Sequence, residues 1–275
     1  MYSLNCKGRL LSWKEPIAMG ILNLTPDSFY PGSRIHSEEM LIRQAEKMIA
    51  EGAAILDLGG MSSRPGAPEI SADAELERVV PAIQILTARF PSSFISVDSY
   101  RYKVAKTALD AGASIINDIG AGEYENLAFL AAAENVPYIC MHIRGKPATM
   151  DQFTNYENIA ADVLDYFIRR KSECLRAGVK DLIIDPGFGF AKTIGQNFVL
   201  LKQMKLLTML DLPILAGLSR KATIYKTLNI LPEESLNGTT VMHTLALEQG
   251  ASILRVHDVK EAVEAIRLWT SYANA

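Results

Sequence analysis

The chain has 275 residues, of which 49% are hydrophobic and 21% charged, and its formal net charge is −3. This composition is typical of a globular protein with a large core, and the slight negative charge argues against nucleic acid or a membrane surface as a partner. The three cysteines fit neither a zinc site nor a disulfide framework, and the N-terminal segment MYSLNCKGRLLSWKEP has no apolar run, so we expect a cytoplasmic protein.

Short apolar runs alternate with segments of helical period along the chain. Eight of the runs are typical of strands covered on both faces of a parallel sheet. They lie at residues 17–22, 54–58, 94–97, 114–117, 136–141, 182–185, 213–217 and 252–256. Between them apolar residues recur at helical spacing, as at Leu41, Ala45 and Met48, and a longer helix is predicted over residues 155–177.

Eight strands with a helix after each predict a (β/α)8 TIM barrel, formed by a single domain over residues 1–275. An open doubly wound sheet is the alternative. Its G-x-G-x-x-G fingerprint is absent, because the segment GFGFAK at Gly187 has Lys192 in place of the third glycine. We expect the first fifteen residues to form a short N-terminal hairpin that plugs the bottom of the barrel.

Polar residues stand at the end of each predicted strand. In a parallel barrel all eight carboxyl ends meet at one face, where active sites lie. In chain order these residues and segments are Asn23 with LTPDSF, GGMSSRPG, Asp98, Asn117 with Asp118, Met141 with His142, Asp185, GLSRK, and Arg255 with His257. So many polar groups of both charge signs at one mouth indicate a ligand site rather than strand ends that merely meet water.

The polar residues divide into two chemical groups. Asp98, Asn117, Asp185 and Lys221 offer fixed donors and acceptors that suit a flat heteroaromatic ring with amide-like edges. The second group is basic and hydroxylated and suits phosphate. Its members are Asn23, Ser63, Arg64, Arg255 and His257. The Asn23 oxygen is also a plausible ligand for Mg²⁺, which usually accompanies phosphates.

Two loops, NLTPDSFYPGSRIHS after the first strand and GGMSSRPGAPEIS after the second, are rich in Pro, Gly and Ser. Phe29 and Tyr30 in the first loop predict a lid that stacks on a ligand, and a solvated loop with a locally packed Phe is the alternative. His142 also has two interpretations, a hydrogen-bonded core residue or a residue at the rim of the site.

Seven segments resemble the dihydropteroate synthase family of folate biosynthesis, and the resemblance covers residues 17–268. In the family's order and spacing they are MGILNLTPDSF, GGMSSRPGA, SVDS, INDI, DPGFGF, GLSRK and RVHDV. The resemblance implies a pterinylmethyl transferase that joins 4-aminobenzoate to (7,8-dihydropterin-6-yl)methyl diphosphate. The products would be 7,8-dihydropteroate and diphosphate. It also implies a homodimer.

The resemblance implies a role for each matching residue. The pterin would be bound by Asp98, Asn117, Met141, Asp185, Phe190, Gly217 and Lys221. The diphosphate would be bound by Asn23, Ser63, Arg64, Arg255 and His257. The 4-aminobenzoate would be framed by Phe29, Ser63, Arg64, Pro65, Phe190 and Lys221. Mg²⁺ would be held by Asn23, and the catalytic residues would be Asp98, Lys221, Arg255 and His257.

Two other functions are weighed against this one. A methyltetrahydrofolate–corrinoid methyltransferase shares the barrel and the pterin pocket, but its substrate has no diphosphate, so Arg64 and the SRK and RVH segments argue against it. A pterin-binding relative without catalysis is the second. Its support is Met61 and Ala222, which replace a Glu and a Ser common in the family, and the retained polar residues argue against it.

Overall fold

The computed structural model describes residues 1–24, 34–61, 69–120, 125–146 and 149–275, with only the backbone of residues 34–37. The strands are β1 (Tyr2–Cys6), β2 (Arg9–Trp13), β3 (Ile17–Asn23), β4 (Ala53–Gly59), β5 (Phe94–Asp98), β6 (Ile115–Asp118), β7 (Tyr138–Met141), β8 (Leu182–Asp185), β9 (Leu215–Ala216) and β10 (Ile253–Val256). The helices are α1 (Arg34–Ala50), α2 (Ala72–Arg89), α3 (Tyr102–Ala111), α4 (Leu127–Glu134), α5 (Ile159–Ala177), α6 (Ile194–Gln203), α7 (Ala222–Leu228), α8 (Leu236–Glu248) and α9 (Val259–Ala273). Short 3-10 segments cover Met150–Gln152, Met204–Leu210 and Pro232–Glu234.

Strands β3 to β10 form one parallel sheet in the order β8-β7-β6-β5-β4-β3-β10-β9. A parallel bridge between Ile184 and Ile214 joins β8 to the residue just before β9 and closes the sheet into a barrel. A helix follows each of these strands along the chain. The prediction of a TIM barrel is confirmed, and the open doubly wound alternative is wrong.

Glycine residues end two of the helices. Gly112 after α3 and Gly178 after α5 have φ of 121° and 94°, a backbone region that glycine adopts without a steric penalty. Helix α5 is shorter at its start than predicted. It begins after Asn158, whose side-chain oxygen accepts a hydrogen bond from the backbone N–H of Ala161 at 3.3 Å.

The N-terminal hairpin plugs the bottom of the barrel, as predicted. Strands β1 and β2 pair antiparallel and carry the buried side chains Leu4, Cys6, Leu11 and Trp13. These pack in one apolar cluster with the inward residues of the barrel strands, which are Met19, Ile55, Ile115, Ile139, Ile183, Leu215 and Ile253. A larger cluster fills the layer between the strands and the helices.

The three cysteines are free and buried. None of the helices in the described part of the chain combines the length and the apolar character that a membrane crossing requires.

Candidate active site

The alternation of side-chain directions along the strands brings polar residues to one mouth. Residues two apart in a strand face the same side of the sheet. The inward isoleucines Ile55, Ile115, Ile183 and Ile253 are therefore followed, two positions later, by the inward residues Asp57, Asn117, Asp185 and Arg255. Asp118 takes the opposite direction, and its carboxylate accepts a hydrogen bond from the Tyr138 hydroxyl at 2.6 Å.

Arg255 lies at the centre of one side of the mouth. Its Nε donates to Asp57 Oδ2 and its Nη2 donates to Asp98 Oδ2, both at 2.6 Å. Asn117 Nδ2 donates to the same Asp57 oxygen at 3.1 Å. Asp57 on β4 and Asp98 on β5 thus bind the Arg255 guanidinium, and Asn117 on β6 binds Asp57.

Asp57 belongs to this group of residues, although the sequence analysis did not single it out. Its side chain is fully buried, and its second oxygen, Oδ1, has no partner among the described residues. The signal was available in principle, because Asp57 lies within the apolar run of β4 with the same inward direction as Ile55. A buried carboxylate in an apolar strand is costly unless it is paired, and here its partners are Arg255 and Asn117.

Asp185 and Lys221 form a second polar group at the mouth. Asp185 Oδ1 accepts the backbone N–H of Gly187 at 2.8 Å, which leaves Oδ2 for other donors. At Gly217, a Cβ would lie 3.8 Å from both Asp185 Oδ2 and Lys221 Nζ. The lack of a side chain at Gly217 therefore keeps open the space between the carboxylate and the ammonium.

An apolar wall lies beside these two groups. Lys221 Nζ donates to the carbonyl of Phe188 and stands 4.5 Å from the ring centroid of Phe190, a cation–π contact. Phe190 in turn packs in a buried cluster with Met141. The two apolar residues predicted to line the site thus lie together, next to its lysine.

Burial shifts the pKa values of the central groups. It raises the pKa of Asp98, against the opposing effect of the Arg255 guanidinium, and it raises the pKa of Asp185, against the opposing effect of Lys221. Burial also lowers the pKa of Lys221 to about 8, although Asp185 acts in the other direction. A polar ligand that bonds to these groups would offset part of the cost of their burial.

The structure describes only some of the residues that were predicted to bind phosphate and 4-aminobenzoate. Ser219 Oγ lies 3.0 Å from His257 Nδ1 and accepts the backbone N–H of His257 at 3.2 Å, which ties the loops after β9 and β10 together. Asn23 is exposed at the end of β3. The remaining predicted residues, Phe29, Ser63, Arg64 and Pro65, lie outside the described residues.

His142 is a core residue, so the interpretation that places it at the rim is wrong. It is buried, with Nδ1 2.9 Å from Lys192 Nζ and its ring edge-on to Tyr166 at 4.8 Å between centroids. Burial lowers the pKa of His142 well below its usual range, with the positive charge of Lys192 acting in the same direction. The imidazole is therefore neutral at physiological pH.

The sequence matches the family model of pterin-binding enzymes over residues 19–257. Dihydropteroate synthase of Escherichia coli (strain K12) is 41% identical over 267 residues, which are 96% of this chain and 94% of the relative. Dihydropteroate synthase of Haemophilus influenzae is 40% identical over 274 residues, 99% of each chain. The similarity thus extends over nearly the full length of both relatives.

Solved structures of dihydropteroate synthases are also similar to this chain. Yersinia pestis dihydropteroate synthase in complex with a sulfonamide drug has a TM-score of 0.93 at 37% identity and matches over 100% of both chains. The Xanthomonas albilineans enzyme in complex with 7,8-dihydropteroate has a TM-score of 0.89 at 35% identity, also over 100% of both chains. This chain therefore belongs to the pterin-binding enzyme family, among the dihydropteroate synthases.

Proposed function

We propose that this chain condenses (7,8-dihydropterin-6-yl)methyl diphosphate with 4-aminobenzoate to give 7,8-dihydropteroate and diphosphate. The observation that carries the proposal is the grouping of Asp185 and Lys221 with Asp98 and Arg255 at one mouth, close enough for their charges to act on one another. Relatives named dihydropteroate synthase, one of them solved with 4-aminobenzoic acid, support the choice of substrates.

The pterin would enter the barrel beside Asp185 and Lys221. Asp185 would accept a pair of N–H groups from the ring edge, because its Oδ2 faces the space that Gly217 leaves open. Lys221 and Asn117 would complete the polar contacts around the ring. Met141 and Phe190 would contact its flat face, together with Gly217.

Departure of diphosphate requires that its negative charge be met. Arg255 would meet it with its Nη1 donors, since Nε and Nη2 are already bound to Asp57 and Asp98. His257 would bind the diphosphate beside it, with Ser63 and Arg64 from the second loop. Arg255 thus links the ring side of the site to the anion side, a position that the sequence grouping did not anticipate.

Asp98 would stabilise the positive charge that develops at the reacting methylene. The electron-rich dihydropterin can carry this charge, so the displacement can be strongly dissociative. An arylamine is nucleophilic in its neutral form, so the attack needs no general base. The 4-aminobenzoate would be framed by Phe190 and Lys221, and by Phe29, Ser63, Arg64 and Pro65 from the two loops.

Mg²⁺ fits the site only together with the diphosphate. Asn23 offers one neutral oxygen at the exposed end of β3. In the part of the chain that the structure describes, no group of three His, Cys, Asp or Glu side chains could hold a metal by itself. Asn23 would therefore share the ion with phosphate oxygens and water, as is usual for Mg²⁺. When bound, the ion would neutralise charge on the leaving group.

We also propose a homodimer and a cytoplasmic location. The dimer would bury the exposed apolar side chains of two helices that pack together, Val241 and Leu245 on α8 and Leu268 and Tyr272 on α9. Light scattering on the purified protein should give twice the chain mass, and Leu245→Glu should shift it towards the monomer. A wild-type monomer would contradict the proposed dimer.

The proposed cytoplasmic location is supported by the free, buried cysteines, which suit a reducing compartment.

A direct assay of product tests the activity. Purified protein with both substrates should form 7,8-dihydropteroate, and removal of Mg²⁺ by a chelator should slow the reaction. Asp185→Asn is the matched variant. It should bind the pterin more weakly, because one of the two acceptor oxygens is replaced by an amide donor. Tight pterin binding without turnover in the wild type would favour the non-catalytic alternative, and a corrinoid requirement would favour the methyltransferase.

A further inference from the structure

A lysine that the proposed reaction does not use lies buried behind the wall of the site. Lys192 is only 8% exposed. Its Nζ lies 2.9 Å from His142 Nδ1, 2.9 Å from the carbonyl oxygen of Gly187 and 3.0 Å from that of Phe190. Lysine is rarely buried without a carboxylate partner, yet these three acceptors are neutral. Because this burial costs stability, it indicates that the lysine has a function.

The loop around this amine has an unusual backbone. In the β8–α6 loop (residues 186–193), Gly187, Gly189 and Ala191 all have positive φ, at 68°, 79° and 50°. At Gly187 a Cβ would stand 2.0 Å from the carbonyl oxygen of His142, so the loop presses directly on the end of β7. Alternating left-handed residues turn the Gly187 and Phe190 carbonyls inward, where water cannot reach them.

Lys192 satisfies these two carbonyls. The amine has an N–H for each of them, and His142 supplies the complementary ring nitrogen. From the other side Asn197 accepts the backbone N–H of Gly189 at 2.7 Å. The loop is therefore held from both sides by buried side chains rather than by regular secondary structure.

The part of the loop that Lys192 holds is the part that faces the ligands. It carries the Phe190 ring, which lies under Lys221 Nζ, and the Phe188 carbonyl, which accepts a hydrogen bond from the same Nζ. A displaced loop would move the aromatic wall and would also remove the acceptor that orients Lys221. The effect would reach Asp185 too, since its Oδ1 is bound to the Gly187 N–H.

We propose that Lys192, paired with His142, is a positioning residue that fixes the β8–α6 loop and thereby sets the affinity of the site for both pterin and 4-aminobenzoate. The inference rests on the proposed function and extends it to two residues that touch neither substrate. A residue that only stabilised the fold would change the unfolding temperature without changing the affinity of the folded protein.

The experiment compares three variants of the full chain with the wild type. Lys192→Met removes the N–H donors at similar length, and Lys192→Gln keeps an amide donor in case the first variant fails to fold. Lys171→Met is the matched control, because Lys171 Nζ also donates to a carbonyl, that of Leu210 at 2.6 Å, at the other end of the barrel. The measurements are KM for 4-aminobenzoate, Kd for the pterin diphosphate, kcat and Tm.

We expect Lys192→Met to raise both KM and Kd about tenfold or more, because two buried carbonyls lose their donors. Lys192→Gln should recover part of the loss, and Lys171→Met should lower Tm at most. The inference is overturned if the Lys192 variants keep wild-type KM and Kd while only Tm falls, or if Lys171→Met matches them. A wild type that makes no product would instead count against the proposed function itself.

Discussion

Asp57 shows how much of the site depends on one carboxylate that contacts no predicted substrate. A single oxygen of Asp57 accepts hydrogen bonds from Arg255 and Asn117, which are assigned to the diphosphate and the pterin respectively. Removing one member of a buried charged group is costly because the other members stay buried and lose a partner. Asp57 therefore orients two residues that we propose to bind the substrates.

Asp57→Asn should lower kcat/KM about tenfold or more, because the new amide places a donor against donors of Arg255 and Asn117. It should also lower the free energy of unfolding by about 3 kcal/mol. Asp110→Asn, which disrupts an exposed pair with Lys106, is the control and should change neither quantity. Wild-type kinetics in Asp57→Asn would show that Arg255 and Asn117 are held in place by other contacts.

The lowered pKa of Lys221 predicts a reaction that is sensitive to alkaline pH. Because burial lowers this pKa to about 8, Lys221 is charged below pH 8 and loses its charge as the pH rises through that value. We expect kcat/KM, which reports the free enzyme, to fall above about pH 8. Lys221→Arg, which stays charged, should move this decline to higher pH even if its activity is lower. A profile that is flat well above pH 8 would contradict a role for the charged lysine.

The residues also show what the sequence could and could not predict. The strand ends were identifiable because apolar runs stop on polar residues, as at Asn117 and Asp118. Which of those two faces inward depends on the register of β6 relative to its neighbours, and the sequence alone does not reveal it. Asp57 was missed for a different reason, because it lies inside the apolar run of β4 and not at the end of that run.

Among the elements, the N-terminal hairpin and the strand ends have separate tasks. The hairpin contacts the first inward layer of the barrel, and the polar residues lie in the layers beyond it. Stability and chemistry are thereby assigned to opposite ends of the same strands, as is general for TIM barrels.

Leu4→Ala tests this separation. Leu4 is buried in the hairpin cluster, so its truncation should lower the free energy of unfolding by about 2–5 kcal/mol. Leu10→Ala on the partner strand is the control, because Leu10 is 70% exposed, and it should change stability by less than about 0.5 kcal/mol. Measured well below Tm, kcat/KM should be unchanged in both. A clear loss of kcat/KM in Leu4→Ala would mean that the hairpin influences the mouth.

The start of α9 has a local sequence motif that the structure does not use. Asp258 and Glu261 fit a variant of the capping box, but the Asp258 side chain makes no capping bond. Both of its oxygens accept hydrogen bonds from Arg220 at 2.8 Å, which joins the loops after β9 and β10. A local motif cannot reveal a partner 38 residues away, and here the tertiary ion pair replaces the cap.

At the scale of the whole molecule, the barrel is the feature that the sequence predicts best. Regular alternation of strands and helices leaves few topologies, and right-handed crossovers reduce them further. The β8–α6 loop is at the other extreme, because its shape depends on three residues with positive φ and on a buried lysine. Its contacts, unlike the strand pattern, have no periodic signature.

The central claim is that ring-binding and anion-binding groups share one mouth and remain distinguishable. The decisive measurement is calorimetric titration of wild type, Arg255→Ala and Asp185→Asn with the pterin diphosphate and with the same pterin lacking diphosphate. Arg255→Ala should weaken the diphosphate ligand about tenfold more than the free pterin, and Asp185→Asn should weaken both ligands alike. Equal losses of the two ligands in Arg255→Ala would contradict the account.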